Sequence, residues 1–344
     1  MSSDRFWSLT LADLLFPARD ETFGSLGRGL SERTSAPPGD NFFSNEDSYP
    51  RVAGSLARRV PTGDVYLGVG PDQNFTFIAH TRPSLAIVLD YRRRNTLVHL
   101  LHKALMCLSA DRFDYLSRLT ARRPVRSRSD AGLDDLLARF RTAPLDPALL
   151  QENVGEVARL LRSCDAVREE EWLELASIQA RIAGPGLEAR FLALRMYPTL
   201  ARMIATHDRE GSPAHWLAAE GTYQRVRSLQ LGDRILPVVG DFAGTAALPA
   251  LASWMRHRGL KVGVLYVSDV EFFLLRAGKF GAYVDNLGRL PWASEAVVVR
   301  TSTRPIEHPE RVPGDSATTI VRPVAAFLDQ ARAGRVRTVE DLFR

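Results

Sequence analysis

The chain has 344 residues, of which 45% are hydrophobic and 25% are charged, and its formal net charge is +5. This composition is typical of a globular protein with one large domain or two small ones. It contains no apolar stretch near the roughly 20 residues that cross a bilayer, and the N-terminus lacks a signal-peptide charge pattern. We therefore expect a cytoplasmic protein with no membrane partner.

The composition also argues against disulfide and nucleic-acid chemistry. The only cysteines, Cys107 and Cys164, cannot form a disulfide framework or a CxxC metal site. The one dense basic cluster, TARRPVRSR at residues 120–128, lacks the interleaved aromatic residues that stack on bases. We expect no nucleic-acid partner, although this cluster could attract an acidic protein such as a carrier protein.

Six apolar runs predict the strands of one sheet. Residues 1–60, which precede them, mix short helical pieces with loops rich in Pro, Gly and Ser and predict an N-terminal arm or cap. Because the runs are continuously apolar rather than alternating, they favour a parallel sheet covered on both faces. The runs are Val65–Val69, Leu85–Tyr91, Arg234–Val239, Lys261–Val267, Glu295–Thr301 and, as a possible sixth, Thr318–Val321.

The long segment between the second and third runs predicts helices. Stretches such as ALLQENVGEVARLLRS space their apolar residues at intervals of three and four, which is typical of amphipathic helices. The sequence therefore predicts a doubly wound α/β fold with a mostly parallel, Rossmann-like sheet. Residues 61–95 and 232–344 form the predicted core, and residues 96–231 a large helical insertion between strands 2 and 3.

Glycines and acids follow the first three predicted strands. Gly68 and Gly70 close strand one, Asp90 closes strand two, and Asp241 with Phe242 follows strand three in VVGDFAG. In a doubly wound sheet, ligands bind outside the carboxyl ends of the strands. Glycines there let backbone N–H groups approach a ligand, and an acid can accept hydrogen bonds from a ribose diol. A G-x-G pair alone is weak evidence, because such pairs also occur in ordinary turns.

Together these blocks resemble the class I S-adenosylmethionine (SAM) dependent methyltransferase superfamily. The resemblance covers about half the chain, and it implies that Gly68 and Gly70 lie under SAM and that Asp90 holds its ribose. It also implies that Asp241 with Phe242 contacts the adenine. The chain departs from the pattern at two positions of the first motif, where Tyr66 replaces an acid and Asp72 replaces a third glycine.

A second resemblance is more specific. FFSNEDSY, LGVGPDQNFTFIA, HWLAAEGTYQRVRSL, VVGDFAG and LYVSDVEFFL are similar to blocks of a largely uncharacterised bacterial family with a methyltransferase-like core. This likeness spans roughly Asn41 to Leu275 and implies the same fold, but no particular chemistry.

The segment FFSNEDSY allows two interpretations. Ser44 or Asn45 could cap the start of a helix with acids in its first turn. Alternatively, the N-terminal arm folds over the crevice and contributes Glu46 or Tyr49 to the site as catalytic residues, with Ser44 and Asn45 binding substrate.

The segment LYVSDVEFF predicts further polar groups at the mouth of the crevice. Strand four should end near Val267, so that Ser268, Asp269 and Glu271 follow it directly. Two carboxylates near apolar walls can have their pKa values pushed apart, which leaves one suited to accept a proton. The alternative is a helix start in which Ser268 and Glu271 form a capping box; the two interpretations are compatible.

Other polar residues give weaker predictions. Gln73 and Asn74 follow the glycines directly and could bind a substrate carboxylate or amide. His99 and His102 could share a helix face, but a metal site would need more ligands than the local sequence offers, so we expect packed histidines and no metal.

Three functions remain open. The first is methyl transfer from SAM to a small metabolite or a carrier-bound intermediate, with Glu46, Asp269 or Glu271 as the base. In such a displacement the protein mainly aligns the nucleophile and accepts its proton. The second is a SAM-independent displacement, elimination or cyclisation in specialised biosynthesis, with a partner subunit as a further possibility. The third is a non-catalytic Rossmann-like binding or scaffold protein.

Overall fold

The computed structural model describes residues 22–33, 41–125, 132–304 and 306–344. The predictions for the first 21 residues, for residues 34–40 and for the end of the basic cluster lie outside these ranges. Within them, none of the helices combines the length and the apolar character that a membrane span requires.

Six strands form a single sheet in the order β3-β2-β1-β4-β5-β6. Strands β1 to β5 run parallel to their neighbours, and β6 is antiparallel to β5. The order reverses between β1 and β4, which makes the crevice above them the expected ligand position in such a sheet. The strands are β1 (Val65–Gly68), β2 (Ala86–Asp90), β3 (Ile235–Val239), β4 (Val262–Ser268), β5 (Trp292–Ser302) and β6 (Thr318–Pro323).

The prediction of an α/β fold with a mostly parallel sheet is confirmed. Strands β1 to β3 are buried along their whole length, as their continuous apolar runs predicted. Helices follow β1, β2, β3, β4 and β6, and they cover the sheet with apolar faces. This arrangement is compatible with a Rossmann-like fold.

The described residues form fourteen α-helices. Seven of these, α4 to α10, lie between β2 and β3, and the predicted boundary between residues 95 and 96 lies inside α4. The helices are α1 (Phe23–Leu30), α2 (Ala53–Arg59), α3 (Gln73–Thr81), α4 (Arg93–Leu108), α5 (Arg112–Thr120), α6 (Leu133–Thr142), α7 (Pro147–Ser163), α8 (Trp172–Ala183), α9 (Leu200–Ile204), α10 (Glu220–Leu231), α11 (Ala247–His257), α12 (Val270–Arg276), α13 (Phe280–Leu287) and α14 (Val324–Arg332).

The N-terminal part of the chain is attached to the sheet at two places. After α1, the Glu32 backbone N–H donates to the carbonyl of Val239 at 2.9 Å, and the Glu32 carboxylate accepts from the backbone N–H groups of Asp241 and Ala247. Farther along, the buried Asp47 carboxylate accepts from the backbone N–H groups that precede β6. The Asp47 contacts hold the segment 41–49 at the start of β6, beside the carboxyl end of β5.

Candidate functional site

Glu46 lies at the centre of the crevice, where β4 and β5 end. Its side chain is fully buried. The Tyr266 hydroxyl donates to one carboxylate oxygen of Glu46 at 2.8 Å, and the Ser268 hydroxyl donates to the other. Thr301 of β5 lies near the same carboxyl group, and its hydroxyl lowers the pKa of Glu46. The structure thus corresponds to the second interpretation of FFSNEDSY, in which this segment folds over the crevice.

The surroundings of Glu46 favour its neutral form. Burial raises its pKa from 4.5 to about 7, and the negative charge of Asp269 adds to this rise. Hydrogen bonds from the neighbouring hydroxyl groups lower the pKa, but they do not outweigh the loss of hydration. A carboxyl group with a pKa near neutrality can accept a proton and return it within one reaction cycle.

Ser268 connects this buried carboxyl group to the outside. It ends β4 with a φ of +53°, a left-handed conformation that is uncommon for residues other than glycine. Its side chain is half-buried, in contrast to that of Glu46, and it also lines a cleft together with Asp269 and Thr303. Strained backbone of this kind is found at functional sites when the surrounding structure holds it in place.

Asp269 lies beside Ser268 at the start of α12. Burial raises its pKa above the ordinary value, while a hydrogen bond from the Thr303 hydroxyl at 3.2 Å lowers it. The structure therefore brings together Glu46, Ser268 and Asp269. Gln73 joins the same network, because its amide nitrogen donates to the Tyr266 hydroxyl at 3.3 Å.

The glycine loop after β1 is filled by side chains of the chain itself. A Cβ at Gly68 would overlap the Asn74 side-chain oxygen, and a Cβ at Gly70 would lie 2.6 Å from the Gln73 amide nitrogen. The Asn74 amide nitrogen donates to the carbonyls of residues 69, 70 and 71, and its oxygen accepts from the Tyr66 hydroxyl at 2.8 Å. Asn74 thus shapes the loop rather than facing a substrate.

This packing bears on the cofactor that the resemblance implies. Asn74 and Gln73 take up the side of these glycines on which a Cβ would stand, and that side offers no open space to a ligand. Tyr66 stands at the position of the motif's acid, and its hydroxyl donates a hydrogen bond to the Asn74 side-chain oxygen. The residues of this loop therefore do not fit SAM in the arrangement expected from the superfamily.

The acids after β2 and β3 lie around one exposed aromatic ring. Burial raises the pKa of the Tyr91 phenol, and three carboxylates raise it further, those of Asp90, Asp241 and Asp269. Asp90 pairs in register with Val239, so the ends of β2 and β3 lie side by side at this edge of the sheet. Arg92 lies over the same ring at 4.4 Å and donates its backbone N–H to Asp90 at 2.8 Å.

Asp90 and Asp241 differ in their environments. Asp90 is buried, and burial raises its pKa to about 6. Asp241 is half-buried; its carboxylate accepts from the Ala243 backbone N–H at 2.9 Å and lies 3.4 Å from the Lys279 ammonium group. Phe242, the predicted adenine contact, is buried and packs against Tyr283, with the two ring centres 6.2 Å apart. It therefore belongs to the core.

Glu271 belongs to a separate network. Its buried carboxylate pairs with the buried Arg300 guanidinium at 2.7 Å and accepts from the Tyr283 hydroxyl at 2.9 Å. Arg300 donates a further hydrogen bond to the carbonyl of Leu342 at 2.9 Å. Both oxygens of the carboxylate are hydrogen-bonded by these groups. Glu271 therefore stabilises the fold and is not positioned as a free base.

Tyr49 and the remaining predicted residues flank the centre. The Tyr49 ring is buried and lies 6.4 Å from the ring of His215, at the side of the crevice facing Asp72. The buried Ser44 hydroxyl accepts from the Glu46 backbone N–H at 3.1 Å and thereby fixes the turn that carries the carboxylate. Asn45 is half-buried in the same turn.

A second buried acid lies on this side of the crevice. Burial raises the pKa of Asp72 to about 7, and its carboxylate lies 4.0 Å from the His215 imidazole. Burial also lowers the pKa of His215 to about 3. One oxygen of Asp72 and one ring nitrogen of His215 lack hydrogen-bond partners within the described residues.

His99 and His102 hydrogen-bond different partners, the carbonyl of residue 70 and the hydroxyl of residue 115.

The sequence analysis missed two residues that contact Glu46. Tyr266 lies within an apolar strand run, where the pattern indicates only packing, and Thr301 lies one residue before the end of β5 in a run of the same kind. The available signal was a hydroxyl-bearing side chain among the last residues of a buried strand. Buried hydroxyl groups need hydrogen-bond partners, so such a residue indicates a polar neighbour.

Comparison with known proteins yields one family. The family whose model matches residues 42–343 is described as a domain of unknown function (DUF7790). The match includes all six strands and the segment that carries Glu46, and it begins after α1. No curated protein matches the sequence of the chain.

Proposed function

The chain belongs to the family described as a domain of unknown function (DUF7790), and from the geometry of its crevice we propose that it is an enzyme that modifies a small molecule by proton transfer to Glu46. The reaction is a displacement, elimination or ring closure that does not use SAM. The substrate is a small polar metabolite or a carrier-bound intermediate. We also propose that the enzyme has a partner subunit.

The observation that carries this proposal is the fully buried Glu46 carboxyl group, whose pKa of about 7 lies near physiological pH. Because Glu46 is buried, the proton arrives through the half-buried Ser268. The substrate O–H or N–H gives its proton to the Ser268 oxygen while the Ser268 hydroxyl proton passes to Glu46. The electron pair left on the substrate atom then forms the new bond, and the leaving group departs with its own pair.

Three further features support this mechanism. The crevice lies where the strand order reverses, which is the usual ligand position in such sheets. Asp269 carries a second carboxyl group beside the first, and its negative charge favours the protonated form of Glu46. Arg92 and Tyr91 at the mouth offer a cation and an aromatic face for binding a substrate.

A second candidate is methyl transfer from SAM. The strand order and the convergence of Asp90 and Asp241 at Tyr91 favour it, because these acids hold the positions at which the superfamily binds a nucleoside. The filled loop at Gly68 and Gly70 argues against it. Under this second candidate function, the sheet is a class I methyltransferase core, and residues 96–231 are an insertion between β2 and β3.

The two candidates differ in ligand binding. Titration calorimetry with SAM and with S-adenosylhomocysteine should give no binding heat if the first proposal is correct. Saturable binding in the micromolar range would instead favour methyl transfer.

The proton-transfer step has its own test. The purified protein is incubated with a small-molecule extract of its host, and consumed compounds are identified by mass spectrometry. Glu46→Gln and Ser268→Ala should abolish consumption that the wild-type protein shows, whereas Glu295→Gln, the same change at an exposed position of β5, should retain it. If a compound is bound but never converted, the protein is a binding or scaffold protein. Equal conversion by wild type and Glu46→Gln would refute the role of Glu46.

A further inference from the structure

The hydroxyl group of Tyr266 is the middle member of a chain of hydrogen bonds in the crevice. Tyr266 lies in β4 and is fully buried, and its ring packs against that of Phe77 with the two centres 4.8 Å apart. Its hydroxyl lies 2.8 Å from one carboxyl oxygen of Glu46 and 3.3 Å from the amide nitrogen of Gln73. Within the described residues this hydroxyl hydrogen-bonds only these two groups.

Gln73 sets the direction of this chain. It is the first residue of α3, and its side chain is buried. A side-chain amide nitrogen carries two hydrogens and can only donate. The Tyr266 oxygen therefore accepts from Gln73, and the one proton of the Tyr266 hydroxyl points to Glu46.

The two carboxyl oxygens of Glu46 consequently have different roles. Oε2 accepts from Tyr266, whereas Oε1 faces the hydroxyl of Ser268, which is half-buried. A neutral carboxyl group has one oxygen that bears the proton and one carbonyl oxygen that remains an acceptor. Because Tyr266 supplies a donor at Oε2, the proton of the neutral form belongs on Oε1, beside Ser268.

We propose that Gln73 is a positioning residue of the proton transfer. By donating to Tyr266 it turns the Tyr266 proton towards Oε2 of Glu46 and confines the exchangeable proton to Oε1, next to Ser268. Its importance for catalysis rests on the proposed function, whereas the direction of the hydrogen bonds does not. Without Gln73, the Tyr266 hydroxyl is free to rotate, and neutral Glu46 can carry its proton on the oxygen that faces away from Ser268.

The first test measures the pKa of Glu46 and needs no substrate. The full-length protein is labelled with carbon-13 at the glutamate carboxyl carbons and titrated by NMR, and the signal missing from Glu46→Gln is that of Glu46. Gln73→Met removes the donor and keeps a side chain of similar length. It should raise the pKa of Glu46 by about 0.7, the shift that one hydrogen bond corresponds to, because the neutral carboxyl group can then also donate to Tyr266.

A double-mutant cycle shows whether Gln73 acts through Tyr266. Tyr266→Phe removes the middle hydroxyl and should itself raise the pKa of Glu46, since the carboxylate loses a donor. In the Tyr266→Phe background, Gln73→Met should leave this pKa unchanged. The matched control is Gln179→Met, the same change at a buried glutamine of α8, which should leave it unchanged in both backgrounds.

The second test uses a compound that the wild-type protein converts. Gln73→Met should lower kcat about tenfold and leave KM within about twofold, because it changes where the proton is held and not how the substrate is bound. Gln179→Met should retain both constants. If no compound is converted, the catalytic role of Gln73 fails together with the proposed function, and the titration still decides the direction of the hydrogen bonds.

Three results of the titration would overturn the proposal. One is a lower pKa of Glu46 in Gln73→Met, which would show that Tyr266 donates to Gln73 in the wild type. Another is an equal rise with and without the Tyr266 hydroxyl, which would show that Gln73 acts on Glu46 by another route. The third is the same pKa in Gln73→Met and Gln179→Met, with both variants shown to be folded by circular dichroism.

Discussion

Replacing Glu46 by glutamine should change how the stability of the protein depends on pH. The pKa of Glu46 is higher in the folded protein than in the unfolded chain, so the folded state holds this proton more tightly. The stabilisation that results is fully present below the unfolded pKa of 4.5 and is lost as the pH rises through the folded value of about 7. A glutamine side chain does not titrate, so Glu46→Gln removes this dependence.

The size of the effect follows from the two pKa values. The interval from 4.5 to about 7, at roughly 1.4 kcal/mol for each pKa unit, corresponds to about 3 kcal/mol. The side chain is fully buried, so solvent screening does not reduce this value. Relative to the variant, the wild-type protein should therefore lose about 3 kcal/mol of unfolding free energy across this interval.

The assay is urea unfolding of both proteins at a series of pH values from about 5 to about 8, followed by circular dichroism. Asp72 and Asp90 also have raised pKa values, but both are present in each protein and cancel in the difference. Unfolding free energies that remain parallel over the whole interval would refute the assigned environment of Glu46. A difference of opposite sign would refute it equally.

Three further substitutions test the surrounding framework, each by urea unfolding. Glu271→Gln should destabilise the protein by about 3 kcal/mol because it leaves the Arg300 charge buried without a partner; a loss below about 1 kcal/mol would contradict the ion pair. Asn74→Ala should cost about 3 kcal/mol, since three carbonyls and the Tyr66 hydroxyl lose a partner; a near-neutral effect would contradict its role in the loop. Arg82→Gly should stabilise by about 1 kcal/mol, because Arg82 directly follows α3 with a φ of 49°, whereas Arg82→Ala should not.

The strands could be predicted because their chemistry is local. A strand buried on both faces must be apolar at successive positions, and the observed β2, Ala86–Asp90, lies within the predicted run Leu85–Tyr91. The strand order depends on contacts between distant segments, and the local pattern contains no information on them. The antiparallel direction of β6 was not predictable for the same reason.

The candidate site was predictable in position but only partly in role. Ser268 and Asp269 follow a strand, so the parallel sheet brings them to the crevice. Glu271 has the same local signal, but its role depends on Arg300, which lies 29 positions later. The sequence predicts Asn74 as a ligand contact, because its hydrogen bonds to the loop depend on the way the backbone turns after β1.

The segment that carries Glu46 precedes the whole sheet in the chain, and its partners Tyr266 and Ser268 come 220 and 222 positions later. During synthesis, which proceeds from the N-terminus, this carboxylate is made long before the hydroxyl groups that surround it. It remains hydrated and an ordinary weak acid until β4 has joined β1. Glu46 therefore acquires its raised pKa late, once β4 has been added to the sheet.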